Sequence, residues 1–112
     1  MSHYQRVVIT GHGGVDVLDT VQEAIPQAGG GEVCVRVLAA GVGYADVMAQ
    51  HGGYPLAPGV PFTPGYDLVG SVEQVGFDVV GIETGQYVAA LNPEFGCYAE
   101  YACVPHELLV PV

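Results

Sequence analysis

The sequence predicts a mainly β domain, a small barrel or sandwich, on three observations. Half of its 112 residues are hydrophobic and only 12% are charged, so it buries enough apolar area to offset chain entropy, which disordered chains cannot do. Its length suits a single core. Seventeen glycines and eight prolines are scattered along it, the composition of many short strands joined by tight turns, where Gly supplies positive φ and Pro presets φ near ~−65°.

Residues 4–10 (YQRVVIT) read as a first strand, ended by the glycines at 11, 13 and 14. Residues 17–24 read as a second strand with partial alternation, followed by a turn over 26–31. Residues 32–40 make the longest strand, with Val33, Val35 and Val37 on one face, toward the core, and Cys34 and Arg36 on the other. Residues 44–51 (YADVMAQH) form the helical stretch, ended by Gly52 and Gly53 where a positive-φ cap belongs. Pro55, Pro58, Pro61 and Pro64 each remove a backbone donor, so this segment is an irregular loop of the kind that often carries function. Residues 68–75, 86–91 and 98–104 read as strands, and 108–110 as a last short one.

The charge pattern excludes one class of partner. The sequence has no Lys, and Arg6 and Arg36 face twelve carboxylates for a formal net charge of −10. Nucleic acid binding rests on clustered cations, and the acidity reads instead as solubility through self-repulsion. No run approaches the ~18 apolar residues of a membrane span, and residues 1–6 lack a signal peptide's apolar stretch, which makes a cytoplasmic protein the default expectation. Cys34, Cys97 and Cys103 are odd in number with no C-x-x-C, the pattern of buried free thiols rather than a disulfide framework.

The segment GSVEQVG at 70–76, followed by Val79, Gly85, Tyr87 and Val88, has the form G-x-V-x-x-V-G…V…G-x-x-V. Upstream stand AAGVGYAD at 39–46 and PGYD at 64–67, and downstream GCYAEY at 96–101. In that order these landmarks resemble the GroES-like domain of the medium-chain dehydrogenases/reductases over nearly all of residues 1–112. The resemblance implies a GroES-like partly open β-barrel with one short helix, its glycines at strand corners and close approaches and its valines alternating inward.

Zinc-dependent alcohol dehydrogenases of that superfamily carry Cys at the position of Gly43 and His at that of Tyr66, so neither position here offers a zinc ligand. The sequence is therefore similar to the zinc-independent branch of quinone oxidoreductases, zeta-crystallin and the vesicle protein VAT-1. That branch implies hydride transfer from NADPH to a quinone or activated alkene, catalysed mainly by holding donor and acceptor in line.

Its members usually place Asn and an aromatic at the positions of Gly43 and Tyr44. Gly43 cannot make the contact of that Asn to the nicotinamide end. The resemblance implies as cofactor-binding candidates Tyr44, which matches the aromatic, and Met48, which stands where relatives often carry a larger polar or aromatic side chain facing the cofactor, an adaptable apolar wall being its alternative. Tyr54 matches a tyrosine near the substrate cleft, where a phenol donates to a carbonyl oxygen gaining charge; packing is its alternative role. Tyr66 joins it as a substrate-binding candidate. Asp46 matches a family acid and is the second catalytic candidate, with helix capping as the alternative. For Asp67 a structural hydrogen bond is expected. His51 is a possible proton shuttle or simply an exposed helix end.

No G-x-G-x-x-G turn is present, and the glycine clusters at 11–14 and 29–31 lack both its spacing and its strand-to-helix context. The expectation is a substrate-side domain, residues 1–112, without a Rossmann nucleotide-binding domain. It would be inactive as the isolated chain, would not bind NADPH by itself, and would self-associate through the apolar surface on which, in the full enzymes, the later segments that return to complete the catalytic domain pack. The alternative is a free-standing, non-catalytic GroES-like binding or oligomerisation module. A co-chaperonin subunit is set aside because residues 39–46 and 64–67 follow the dehydrogenase pattern.

Overall fold

The computed structural model describes residues 3–112, so the first two residues of the polar start lie outside the described residues. The described residues fold into seven strands and one helix: β1 (His3–Ile9), β2 (Leu18–Ala24), β3 (Glu32–Ala39), α1 (Tyr44–His51), β4 (Asp67–Val75), β5 (Tyr87–Leu91), β6 (Tyr101–Pro105) and β7 (Leu109–Pro111). Single 3-10 turns at Val15–Val17 and His106–Leu108 lead into β2 and β7.

Five strands form an antiparallel sheet in the order β6-β3-β4-β5-β7, and β1 and β2 form a separate hairpin. The hairpin attaches beside β6. The amide of Val7 donates to the Tyr98 carbonyl at 2.9 Å, and that of Glu100 to the Gln5 carbonyl at 3.0 Å. The ladder does not close on itself, which makes the fold a partly open barrel.

Alternation builds the main core. Leu68 and Val72 of β4, Val88 and Ala90 of β5, Ala102 and Val104 of β6 and Val33 and Val35 of β3 all point inward and are buried, each large side chain contributing roughly 1.5–3 kcal/mol. Gly70 lies on the inward face of β4, opposite Val37. A Cβ there would run into the Arg36 carbonyl and a Val35 methyl, so the position excludes a side chain. A second cluster joins the other elements: Ile9 of β1, Ala49 of α1, Phe62 of the proline-rich loop and Phe95.

Several strand bounds differ from the expected ones. The strand placed at 98–104 begins only at Tyr101, because Phe95 and Gly96 both take positive φ, 68° and 104°, and Ala99 makes one isolated bridge to Arg6. Val17 and Leu108 belong to the 3-10 turns that precede strands. Cys34 and Cys97 are buried free thiols, as expected, Cys34 although it shares a face with exposed Arg36; Cys103 is only partly buried. Tyr4 of the hairpin, itself buried, lines one cleft with Cys103, the cross-strand partner of Cys34, and packs edge-on against Tyr101 at 6.2 Å.

Candidate functional site

The site is built on α1 and the two loops it holds. Helix α1 starts at Gly43, whose backbone is extended (φ −100°, ψ 170°), and ends where Gly52 enters the left-handed region at φ 88°. The Gly52 and Gly53 amides donate to the Ala49 and Met48 carbonyls at 3.2 and 2.8 Å, closing the last turn.

Asp46, 3% exposed, uses both carboxylate oxygens on backbone. Oδ2 accepts from the Gly43 amide at 2.8 Å, and Oδ1 from the Gly65 amide at 3.0 Å. The first bond caps the helix, and the second ties it to the corner formed by residues 64–67. Asp67 adds a parallel clamp by accepting from the Gly41 amide at 2.8 Å. Tyr98 completes the arrangement, its hydroxyl donating to the Gly41 carbonyl at 3.1 Å. Burial, together with the Asp46 and Asp67 carboxylates, pushes the Tyr98 phenol up to about 12. Burial, reinforced by Asp67 and Asp46, likewise pushes the Cys97 thiol up to about 12.

Beside the clamp lies an aromatic floor. Tyr54, Phe62 and Tyr66 approach Phe95 edge-on, with centroids at 5.7, 5.9 and 5.4 Å, a geometry favoured by ring quadrupoles. Phe95 is buried with φ 68°. Asn92 shapes its turn: the Asn92 amide donates to the Tyr66 carbonyl at 2.7 Å, and its Oδ1 accepts from the Glu94 amide at 3.1 Å. The Tyr54 phenol is raised above its ordinary range, first by burial and then by the Tyr66 phenol beside it.

The structure thus brings Tyr54 and Tyr66 together, while Asp46 lies behind them in the clamp. Tyr44 and Met48 stay outside the aromatic cluster. They lie one helical turn apart on α1, hence on one face, with Tyr44 81% exposed and Met48 half-buried. The ring of His51 folds onto its own helix, Nδ1 lying 3.0 Å from the Val47 carbonyl oxygen. Sequence reasoning missed Phe95 and Tyr98. The turn residues Asn92, Pro93 and Gly96 and the aromatic inside the GCYAEY segment were the available signals.

Gly43 has no donor atom, and Tyr66 is committed to the aromatic floor, so these two positions do not fit a zinc ion. Among the described residues no three His, Cys, Asp or Glu side chains gather into a metal-binding group. No helix among them is long and apolar enough to cross a membrane.

Asp67 and Gly41 also edge an open groove of roughly 820 Å³ lined almost wholly by apolar side chains, among them Ala40, Val69, Leu91, Leu108 and Val110. Leu91 is 60% and Val110 59% exposed.

The family model of the alcohol dehydrogenase GroES-like domain matches residues 29–112. Among curated proteins, the human synaptic vesicle membrane protein VAT-1 homolog-like is 34% identical over 96% of this chain and 26% of its own length. Mouse quinone oxidoreductase is 31% identical over 89% of this chain and 30% of its length. Among solved structures, the human VAT-1 homolog-like protein superposes with a TM-score of 0.93 at 33% identity, covering 98% of this chain and 35% of that one. The Escherichia coli quinone oxidoreductase complexed with NADPH gives 0.90 at 26% identity, covering 96% and 33%. The chain spans about a quarter to a third of the length of the curated relatives it matches.

Proposed function

Because this chain belongs to the family of alcohol dehydrogenase GroES-like domains, within the medium-chain dehydrogenases/reductases, we propose that it is the substrate-side domain of a zinc-independent, NADPH-dependent quinone oxidoreductase-like enzyme. The observation that carries the reading is the pair of tyrosines, Tyr54 and Tyr66, set edge-on around Phe95. The two partly exposed tyrosines stand at the edge of the buried Phe95 ring, an aromatic neighbourhood with two phenols that supports a quinone or an activated alkene as acceptor.

NADPH, when bound, supplies the hydride. The chain's own residues orient the acceptor and stabilise the charge that develops on it. The Tyr54 phenol, raised by burial and by Tyr66, stays protonated at neutral pH and donates to the acceptor's carbonyl oxygen. Asp46 acts in this scheme as a positioning residue, since both of its oxygens already hold backbone amides. Tyr44 and Met48 offer the cofactor an aromatic face and an apolar wall on α1. A nucleotide-binding half covers the groove beside Asp67 and Gly41, and without that cover the chain self-associates through the same face.

The test is quinone-dependent NADPH oxidation by the chain assembled with a nucleotide-binding half. Tyr54→Phe is expected to lower kcat about 10²-fold, the scale of losing one donor to a developing oxyanion, with the fold retained because the ring still packs on Phe95. An unchanged kcat removes Tyr54 from the mechanism.

A second reading, a non-catalytic binding or oligomerisation module, is favoured by Gly43, which places no side chain at the start of α1. It predicts no turnover from the assembled protein, even though the groove is occupied.

A further inference from the structure

Cys34 and Cys103 face each other across the β3–β6 ladder, and their rung is of the close type. The bonded positions of this ladder are marked by the Val37 amide donating to the Glu100 carbonyl at 2.8 Å and the His106 amide donating to the Gly31 carbonyl at 2.9 Å. Bonded and non-bonded rungs alternate along an antiparallel pair. Cys34 is an odd number of positions from both Gly31 and Val37, so the Cys34–Cys103 rung is non-hydrogen-bonded. Pro105 opposite Glu32 occupies another such rung, as a residue without an N–H must. Non-bonded pairs bring Cα atoms to about 4.5 Å, within the range of about 4.4–6.8 Å that a disulfide spans.

We propose that Cys34 and Cys103 form a dithiol–disulfide site oxidised by hydrogen peroxide and reduced back by a dithiol. The two cysteines are inequivalent. Cys34 is 0% exposed, whereas Cys103 is partly exposed and borders a cleft of roughly 310 Å³ lined also by Tyr4, Arg6 and Tyr101. The oxidant therefore reaches Cys103 first. The interaction between the two thiols lowers the Cys103 thiol below its ordinary range and, with burial, raises that of Cys34, which, together with the access Cys103 has from the cleft, favours Cys103 as the nucleophile.

The Cys103 thiolate attacks one peroxide oxygen and the O–O bond breaks. Cys103 becomes a sulfenic acid, and the departing hydroxide takes a proton to become water. The Cys34 sulfur then attacks the Cys103 sulfur, the S–O bond breaks, and a second water leaves with the Cys34 proton. Two thiols lose two electrons, and one peroxide is reduced to two waters. The product bond joins edge strand β6 to β3 and closes the chain between residues 34 and 103. Cys97, fully buried and on neither strand, takes no part.

The test is hydrogen peroxide treatment of the full chain, followed by denaturing alkylation, intact mass and peptide mapping. The expected product is a monomer lighter by two hydrogens, with one alkylatable thiol, a crosslinked peptide joining residues 34 and 103, and full reversal by dithiothreitol. Cys34→Ala is expected to leave a dimedone-reactive sulfenic acid at Cys103, and Cys97→Ser to leave the crosslink intact. Three alkylatable thiols after treatment, a crosslink that includes Cys97, or crosslinks only between chains would overturn the proposal. The wild-type map stands by itself if a variant fails to fold.

Discussion

The Asp46 carboxylate accepts the Gly65 amide at 3.0 Å across the protein interior, while its other oxygen holds the Gly43 amide at 2.8 Å. One side chain thus fixes both the start of α1 and the corner from which Tyr66 projects. Its removal orphans two donors, one of them buried, and each such loss costs about 1–3 kcal/mol. Asp46→Ala is expected to destabilise the chain by about 2–4 kcal/mol in urea unfolding, and Asp46→Asn, which keeps one acceptor oxygen, by about half as much. Equal stability of the Ala variant and wild type would show that the corner holds itself.

Gly65 receives that bond with φ 107°, and a Cβ there would lie 2.6 Å from both the Tyr98 amide nitrogen and a Tyr98 ring carbon. Gly65→Ala combines left-handed strain with a collision against backbone. It is expected to lower stability by at least about 2 kcal/mol. Gly59→Ala, with open space around the added methyl, is expected to be close to neutral. Matched thermal melts of the two variants check this contrast.

Tyr98 gives the fold a dependence on high pH. Its phenol is raised from 10.0 to about 12 by burial and by Asp46 and Asp67, so the folded state favours the protonated form. That contribution is complete below pH 10, the unfolded value, and is lost as pH rises toward the folded value. Cys97, raised from 9.0 to about 12 chiefly by burial, acts in the same direction from a lower starting pH. Stability is expected to fall from about pH 9 upward. Tyr98→Phe should make the upper part of that fall shallower, and it should also lower neutral-pH stability by about 1 kcal/mol through loss of the Gly41 bond. Urea midpoints measured between neutral pH and pH 12 separate the two effects.

How much of this was legible in the sequence follows from how far each cause reaches. Local rules placed α1, because the Gly52-Gly53 stop lies next to the helix it ends, and they put Val33, Val35 and Val37 on one face of β3, where Val33 and Val35 are buried. The buried thiol expected at Cys34 is found, whereas Cys103 opposite it is only partly buried. Alternation tells which residues share a face but not what covers it, and Cys103 lines a cleft with Tyr4 of the distant β1–β2 hairpin. Tyr54 and Tyr66 were recognisable as candidates, yet their meeting depends on Phe95, a bulky residue at φ 68°. No local propensity rule predicts that conformation.

The apolar groove predicts concentration-dependent association. With Leu91 and Val110 exposed along its wall, the isolated chain is expected to form dimers or larger species in sedimentation velocity as concentration rises. Leu91→Glu is expected to shift it toward monomer without lowering its melting temperature, since that side chain is already largely in solvent. A monomeric wild type at high concentration would mean that this face needs no cover.

The central claim is that this chain supplies the substrate side of a site whose nucleotide-binding part lies on another domain. NADPH fluorescence titration tests it most directly, run on the chain by itself and on the chain assembled with a nucleotide-binding half. The expected result is no saturable change for the chain by itself and saturable binding for the assembly. Saturable micromolar binding by the chain by itself would contradict the account.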